Sequence, residues 1–203
     1  MKVRYFGDSS LLVETEDATV AQGLRAELLA EAIPGLRELV PGFRSLLVTA
    51  DPLVTDLEAL AQRLQRRGPP KFSLPVPRQH EFTVSYDGED LAPLARRLGM
   101  EADDLIRRHT APIYTVAFLG FAPGFPYLTG LDPALHAPRR ASPRLRVPAG
   151  SVAIADEFCG IYPQATPGGW QLLGHTQAPL FDPGREHPAL LAPGDRVRFR
   201  AVR

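Results

Sequence analysis

Residues 113–128 read IYTVAFLGFAPGFPYL, and the way this stretch breaks decides how the second part of the chain is built. Ile113 to Leu119 is a short run of β-branched and aromatic residues, and Gly120, Pro123, Gly124 and Pro126 interrupt it at once. The same punctuation recurs downstream. Ser151–Ala155, Gln171–Leu173 and Arg196–Ala201 are short β segments between Pro and Gly, and the last is entered through the tight turn Ala192-Pro193-Gly194-Asp195. Many short strands with turn signals between them predict a closed barrel or sandwich. Upstream, His80 to Tyr86 alternates apolar and polar side chains as a first strand, and two short helices follow at Asp90–Leu98 and Ala102–His109.

Further upstream the pattern changes to two strand–strand–helix units. Val3–Phe6 and Leu11–Val13 flank the turn Gly7-Asp8-Ser9-Ser10, and Leu36–Val40 and Ser45–Thr49 bracket Pro41-Gly42. Val20, Leu24, Leu28 and Ala32 recur at helical spacing until Pro34-Gly35. Asp51-Pro52 opens a second predicted helix with Leu53, Leu57, Leu60 and Leu64 on one face and Gly68 at its end. Residues 68–78, GPPKFSLPVPR, carry four prolines and no periodicity, which favours an extended connector. The expected organisation is an α+β domain at 1–67, a proline-rich linker at 68–79 and a mainly-β barrel domain at 80–203.

Composition narrows the function classes. The chain has 203 residues, 44% of them hydrophobic, and 23 bases balance 23 acids. No global field points to nucleic acid or to a membrane surface. No apolar run approaches the ~20 residues that span a bilayer, and the N-terminus lacks a secretory h-region. Cys159 is the single cysteine, so no intramolecular disulfide forms and a cytoplasmic location is expected. Phosphate-loop, dinucleotide-binding and zinc-protease motifs are absent, and five scattered histidines argue against a metal site.

Three blocks carry the candidate chemistry. Phe118–Leu128 places aromatic residues among Gly and Pro. Such a loop either borders a ligand or plugs a barrel end. Pro138–Pro148 sets four arginines among three prolines. A rigid backbone there would preorganise guanidinium forks for carboxylate or phosphate, although most charge runs are solvated loops. Gly160–Thr176 includes Pro167-Gly168-Gly169-Trp170, which can expose successive N–H groups as an anion nest, and His175, a proton carrier or a structural hydrogen-bonder. Arg139, Arg144 and His175 are the candidate catalytic residues. Gly124, Phe125, Tyr162, Thr166, Gly168, Gly169, Trp170 and Gln171 are the candidate substrate-binding residues. Cys159 is expected to be a small, half-buried side chain without a role.

Written as patterns, these blocks are G-F-x-P-G-F-x-Y-L, P-R-x-x-x-P-R-x-x-V-P-A-G-S-V-x-I and G-I-Y-P-x-x-T-P-G-G-W-x-L-x-G-x-T. From about His80 to the end, the chain resembles the family of 5-oxoprolinase B subunits, which includes KipI-type histidine kinase inhibitors and the small-subunit domain of allophanate hydrolase. The resemblance implies a cyclophilin-like barrel after a small α+β domain. It implies a direct partner, the 5-oxoprolinase C subunit, and a further partner, the A subunit. The implied reaction is ATP-driven opening of 5-oxoproline to glutamate, with ATP and its Mg²⁺ shared with the partner. It also leaves two alternatives, an inhibitor docking on a sensor histidine kinase and a component of a hydrolase for another amide or urea derivative. Where the family usually reads Gln-Thr-Gly, this chain has Phe158-Cys159-Gly160, so a ligand contact by that Thr would here pass to Cys159.

Overall fold

In the computed structural model, which describes residues 1–71 and 76–202, the two N-terminal hairpins merge into one antiparallel sheet. Its strands β1 (Lys2–Tyr5), β2 (Ser10–Glu14), β3 (Leu36–Pro41) and β4 (Ser45–Ala50) lie in the order β1-β2-β4-β3. Alternation in β2 and β4 points Leu11, Val13, Leu46 and Val48 to one face. There they pack on Leu24 and Leu28 of α1 (Ala18–Ala30) and on Leu60 and Leu64 of α2 (Leu57–Arg66). Asp17 caps α1 by accepting from the Val20 N–H at 2.8 Å. Arg67, beyond α2, pairs with Glu27 of α1 and with Glu31 at its C-terminal cap.

The second helix starts later than its leucine spacing predicts. Asp51 accepts from the Leu53 N–H at 3.0 Å and closes a turn, Thr55 donates to the Pro34 carbonyl at 2.6 Å, and Asp56 is the true cap, accepting from Ala59. Leu53, expected on the helix's apolar face, is therefore 94% exposed in the turn. Side chains that bond local backbone win over the apolar period.

Contacts divide the chain into two compact units, Met1–Val76 and Pro77–Arg203. Residues 72–75 of the expected connector lie outside the described residues. In the second unit, β5 (Gln79–Ser85), β6 (Tyr114–Leu119), β7 (Pro126–Thr129), β9 (Ser151–Ala155), β10 (Phe158–Ile161), β12 (Gln171–His175) and β13 (Arg196–Val202) form a closed barrel in the order β10-β7-β6-β13-β5-β12-β9. Only the β13–β5 pairing is parallel; the others are antiparallel. The expected barrel is thus present, with more strands than the sequence pattern marks. β7 and β10 are hidden in Pro- and Gly-bearing loops, and so are β8 (Arg144–Val147) and β11 (Thr166–Gly168), which pair as a separate two-stranded ribbon.

Every barrel strand contributes to one interior core, which includes Val84, Val116, Leu128, Ile154, Ile161, Leu173 and Phe199. Helices α3 (Leu91–Arg97) and α4 (Ala102–Thr110) pack Leu91, Leu94 and Leu105 against it. Strand β9 is buried along its whole length because both its faces are covered. Val152 and Ile154 point into the interior, while Ala153 and Ala155 lie under a second cluster of Phe125, Val147, Tyr162, Trp170 and Leu172.

Candidate functional site

Asp90 organises the polar surface of the barrel unit. It precedes α3, its side chain is almost wholly buried, and it accepts from Arg140 at 2.8 Å, from Arg144 at 2.8 Å to each oxygen, and from the Leu172 N–H at 2.7 Å. The backbone runs the same way, with the Asp90 N–H donating to Leu172 O and the Gly88 N–H to Leu173 O. A Cβ on Gly88 would collide with the Leu172 carbonyl, so only glycine permits this close approach to β12. In the sequence, Asp87-Gly88-Glu89-Asp90 reads only as the approach to a helix. A buried carboxylate can be found in sequence only through the arginines that match it, and those lie some fifty residues away.

The structure places Arg144 inside this network. Its side chain is 12% exposed, and Glu89 and the Trp170 carbonyl accept from it besides Asp90. Burial opposes its charge, but the bonds to Asp90 and Glu89 outweigh that and raise its pKa. The fork expected to bind a ligand is thus occupied by a carboxylate of the chain itself. Arg139, by contrast, is 59% exposed, and its nearest carboxylate, Asp156, is 3.9 Å away. Gln171 donates to the Pro138 carbonyl at 2.8 Å, which ties the arginine block to β12.

His175 stands at the end of β12, where its exposed ring bonds Asp87 through Nδ1 at 2.9 Å. Nε2 makes no hydrogen bond with a described residue. The ring borders a pocket of ≈ 340 Å³ with Asp87, Glu89, Pro148 and Ser151. Ser151 is the strand partner of His175 on β9, but no hydrogen bond joins the two side chains, so no serine nucleophile is set up. With Nδ1–H donated to a carboxylate, Nε2 is free to take a proton.

The aromatic candidates lie elsewhere. Phe125, Tyr162 and Trp170 are buried against one another edge to face, Phe125 sitting 5.1 Å from Tyr162 and 5.3 Å from Trp170, as part of the outer cluster. They are packing residues, not exposed walls. Gly124 adopts φ +76° and a Cβ there would run into the Phe181 side chain, which accounts for the glycine without a ligand. Residues 167–169 do not form a nest. Gly168 pairs with Arg144 across the ribbon, neither glycine has a positive φ, and the Gly169 carbonyl accepts from the Arg140 N–H at 2.7 Å. Thr166 joins the same ribbon, and its Oγ1 is buried without a hydrogen-bond partner. Of the candidates, the structure brings Arg139, Arg144, Gln171 and His175 around residues 87–90. Thr166 and Gly168 lie in the ribbon, Gly169 just beyond it, Phe125, Tyr162 and Trp170 in the outer cluster, and Gly124 beside Phe181.

Cys159 has an unexpected setting. It points into the barrel, where His109 Nε2 lies 3.2 Å from its sulfur and His109 Nδ1 lies 2.7 Å from the Tyr86 hydroxyl. Both His109 and Cys159 are fully buried. Desolvation lowers the His109 pKa to about 3 and raises that of the thiol, so burial favours the neutral form of both. Cys159 therefore bears on the barrel's interior hydrogen bonding, while Phe158 packs in the outer aromatic cluster against Phe118 and Tyr127.

This architecture recurs in known proteins. Residues 1–191 match the family model described as carboxyltransferase domain, subdomain C and D. The 5-oxoprolinase B subunit of Escherichia coli O157:H7 is 44% identical over 95% of this chain and 92% of its own length, and that of Bacillus subtilis is 35% identical over 98% and 93%. Among solved structures, TTHA0988 is 40% identical with a TM-score of 0.83, over 96% of this chain but 39% of its own length. The urea carboxylase of Kluyveromyces lactis shares the fold at 21% identity and TM-score 0.78, this chain spanning 22% of it. A family match across nearly the whole chain, and full-length likeness to B subunits of two bacteria, lead to one conclusion: the chain belongs to the carboxyltransferase subdomain C and D family.

Proposed function

We propose that the chain is the B subunit of an ATP-dependent 5-oxoprolinase, working with the C and A subunits to open 5-oxoproline to glutamate. The observation that carries the reading is the near full-length likeness to proteins named as that subunit. The His175–Asp87 pair supports it with suitable chemistry. A lactam carbonyl is a poor electrophile, and phosphoryl transfer from ATP to its oxygen activates the carbon. Water then adds there, the ring C–N bond breaks as the nitrogen takes up a proton, and a second water hydrolyses the resulting acyl phosphate to glutamate and phosphate. What this chain's residues do is hold and move a proton. Asp87 orients the His175 ring, and Nε2 takes a proton from the attacking water. The pocket beside His175 is bordered by Asp87 and Glu89, a poor place for phosphates. The nucleotide in this reading sits away from it, toward the arginines or the partner protein.

The test is 5-oxoproline-dependent ATP hydrolysis and glutamate release with the B, C and A subunits mixed and with each omitted. Glutamate only from the full mixture, cut at least 100-fold by His175→Ala, supports the assignment. A stable complex that releases no glutamate from 5-oxoproline would move it to another amide or urea derivative. Binding to a sensor histidine kinase in place of the C subunit would make the chain an inhibitor.

A further inference from the structure

A groove of ≈ 520 Å³ is lined by α3 and residues 139–142, with Asp90 in its wall; His175 is not among its lining residues. Arg97, Arg139, Arg140 and Ser142 line it, with Gln171 at one end and Pro93, Leu94 and Ala141 as its apolar part. The loop that forms one wall is pinned from beneath: Gln171 holds the Pro138 carbonyl, the Arg140 N–H bonds Gly169 O, and the Arg140 guanidinium bonds Asp90. None of these ties uses Arg97 or Arg139. Arg97 makes no hydrogen bond or ion pair with a described residue, and Arg139 stands 3.9 Å from an exposed carboxylate, beyond hydrogen-bond range. Three arginines face one carboxylate, Asp90, whose charge Arg144 also shares, so the groove is net positive.

A helix C-terminus attracts basic residues on its own account, which alone would explain Arg97. It does not explain why a loop fixed at three points brings to the same groove a second guanidinium, one held only by a long, exposed ion pair with Asp156. Two exposed planar forks with no hydrogen bond to the chain, over a preorganised floor with a hydroxyl and an amide beside them, are the arrangement that binds planar or tetrahedral oxyanions. We infer that this groove is an oxyanion site, in which Arg97 and Arg139 grip the carboxylate or phosphate of a small organic molecule and Pro93, Leu94 and Ala141 cover its apolar part. Arg144, buried beneath, is a strut that holds the site open. The groove follows from geometry alone. Only the identity of its ligand rests on the oxoprolinase reading, where the carboxylate would be that of 5-oxoproline and the phosphate that of ATP.

Isothermal titration calorimetry of the full chain with inorganic phosphate, ATP and 5-oxoproline, at constant ionic strength, tests it. The expected result is saturable binding of at least one of them, weakened at least tenfold in both Arg97→Ala and Arg139→Ala. Arg107→Ala, which removes an exposed arginine of α4 elsewhere, serves as the control and binds like the wild type. Unfolding midpoints of the variants separate lost binding from lost structure. No binding by the wild type, or wild-type affinity in either groove variant, overturns the inference. Glutamate release by the assembled complex that is indifferent to both substitutions rejects the groove and spares the oxoprolinase reading. Phosphate binding lost in both variants, from a chain whose complex releases no glutamate, does the reverse.

Discussion

Two histidines of the barrel unit have the same local equipment and opposite surroundings. His109 and His175 each bond a partner through Nδ1, the first the Tyr86 hydroxyl at 2.7 Å and the second the Asp87 carboxylate at 2.9 Å. His109 lies in the barrel interior beside Cys159, with Tyr114, Phe199 and the α4 backbone around it, and burial holds its pKa near 3. His175 stands exposed at the rim, over a pocket. Chemical type alone would nominate the His–Cys pair as the nucleophilic site. Desolvation works against it, since burial disfavours both the imidazolium and the thiolate that such a nucleophile needs. A histidine's neighbours name its possible chemistry, while access to solvent decides whether it happens.

The comparison breaks most easily at the rim's foundation. Asp90→Ala strands two guanidiniums and the Leu172 N–H, and should cost roughly 3–5 kcal/mol in urea unfolding. A loss below about 1 kcal/mol would show that the rim does not depend on this buried charge. Next comes pH. The unfolded chain protonates His109 near 6.5 while the folded one resists to about 3. The unfolded state therefore binds more protons in that window, and stability falls as pH drops below 6.5, by up to about 1.4 kcal/mol per unit. His109→Gln should flatten this slope between pH 7 and 5, and an unchanged slope would place the acid sensitivity elsewhere. Its partner gives a similar or smaller effect. Cys159→Val removes the group bonded to His109 Nε2 and should cost about 1–3 kcal/mol. Cys159→Thr, which keeps a hydrogen-bonding group of similar size there, should stay within about 1 kcal/mol of wild type. Equal losses in the two variants would deny the His109–Cys159 bond its structural role. The smallest change in stability belongs to the rim histidine. His175→Ala should leave unfolding within about 0.5 kcal/mol of wild type while lowering turnover in the complex. A larger loss of stability with turnover intact would make His175 a structural residue like His109.

Much of the fold was legible because it is written in local patterns. Turn residues between apolar runs marked β2 and β4, alternation marked β5, and apolar residues at helical spacing marked α1. Where local signals conflicted, reading failed. The leucine stripe at Leu53 lost to the Asp51 and Asp56 caps, and the strands at 126–129, 144–147, 158–161 and 166–168 were hidden by prolines, glycines and arginines. The site was less legible. Arginine, glutamine and histidine stand out by type, but nothing along the chain separates Arg139 from Arg144, or Trp170 as a wall from Trp170 as core.

The sequence by itself determined the element types, the barrel class, the family and the pool of polar residues from which any site must be drawn. Periodicity, turn chemistry and motif order are properties of neighbours along the chain. Only the tertiary structure decided which arginine is exposed, which histidine meets solvent and which carboxylate holds the rim together. Those outcomes depend on burial and pairing between residues fifty or more positions apart, as with Asp90 and Arg144 or His109 and Cys159. Desolvation and hydrogen-bond geometry act on such pairs only once the barrel has closed.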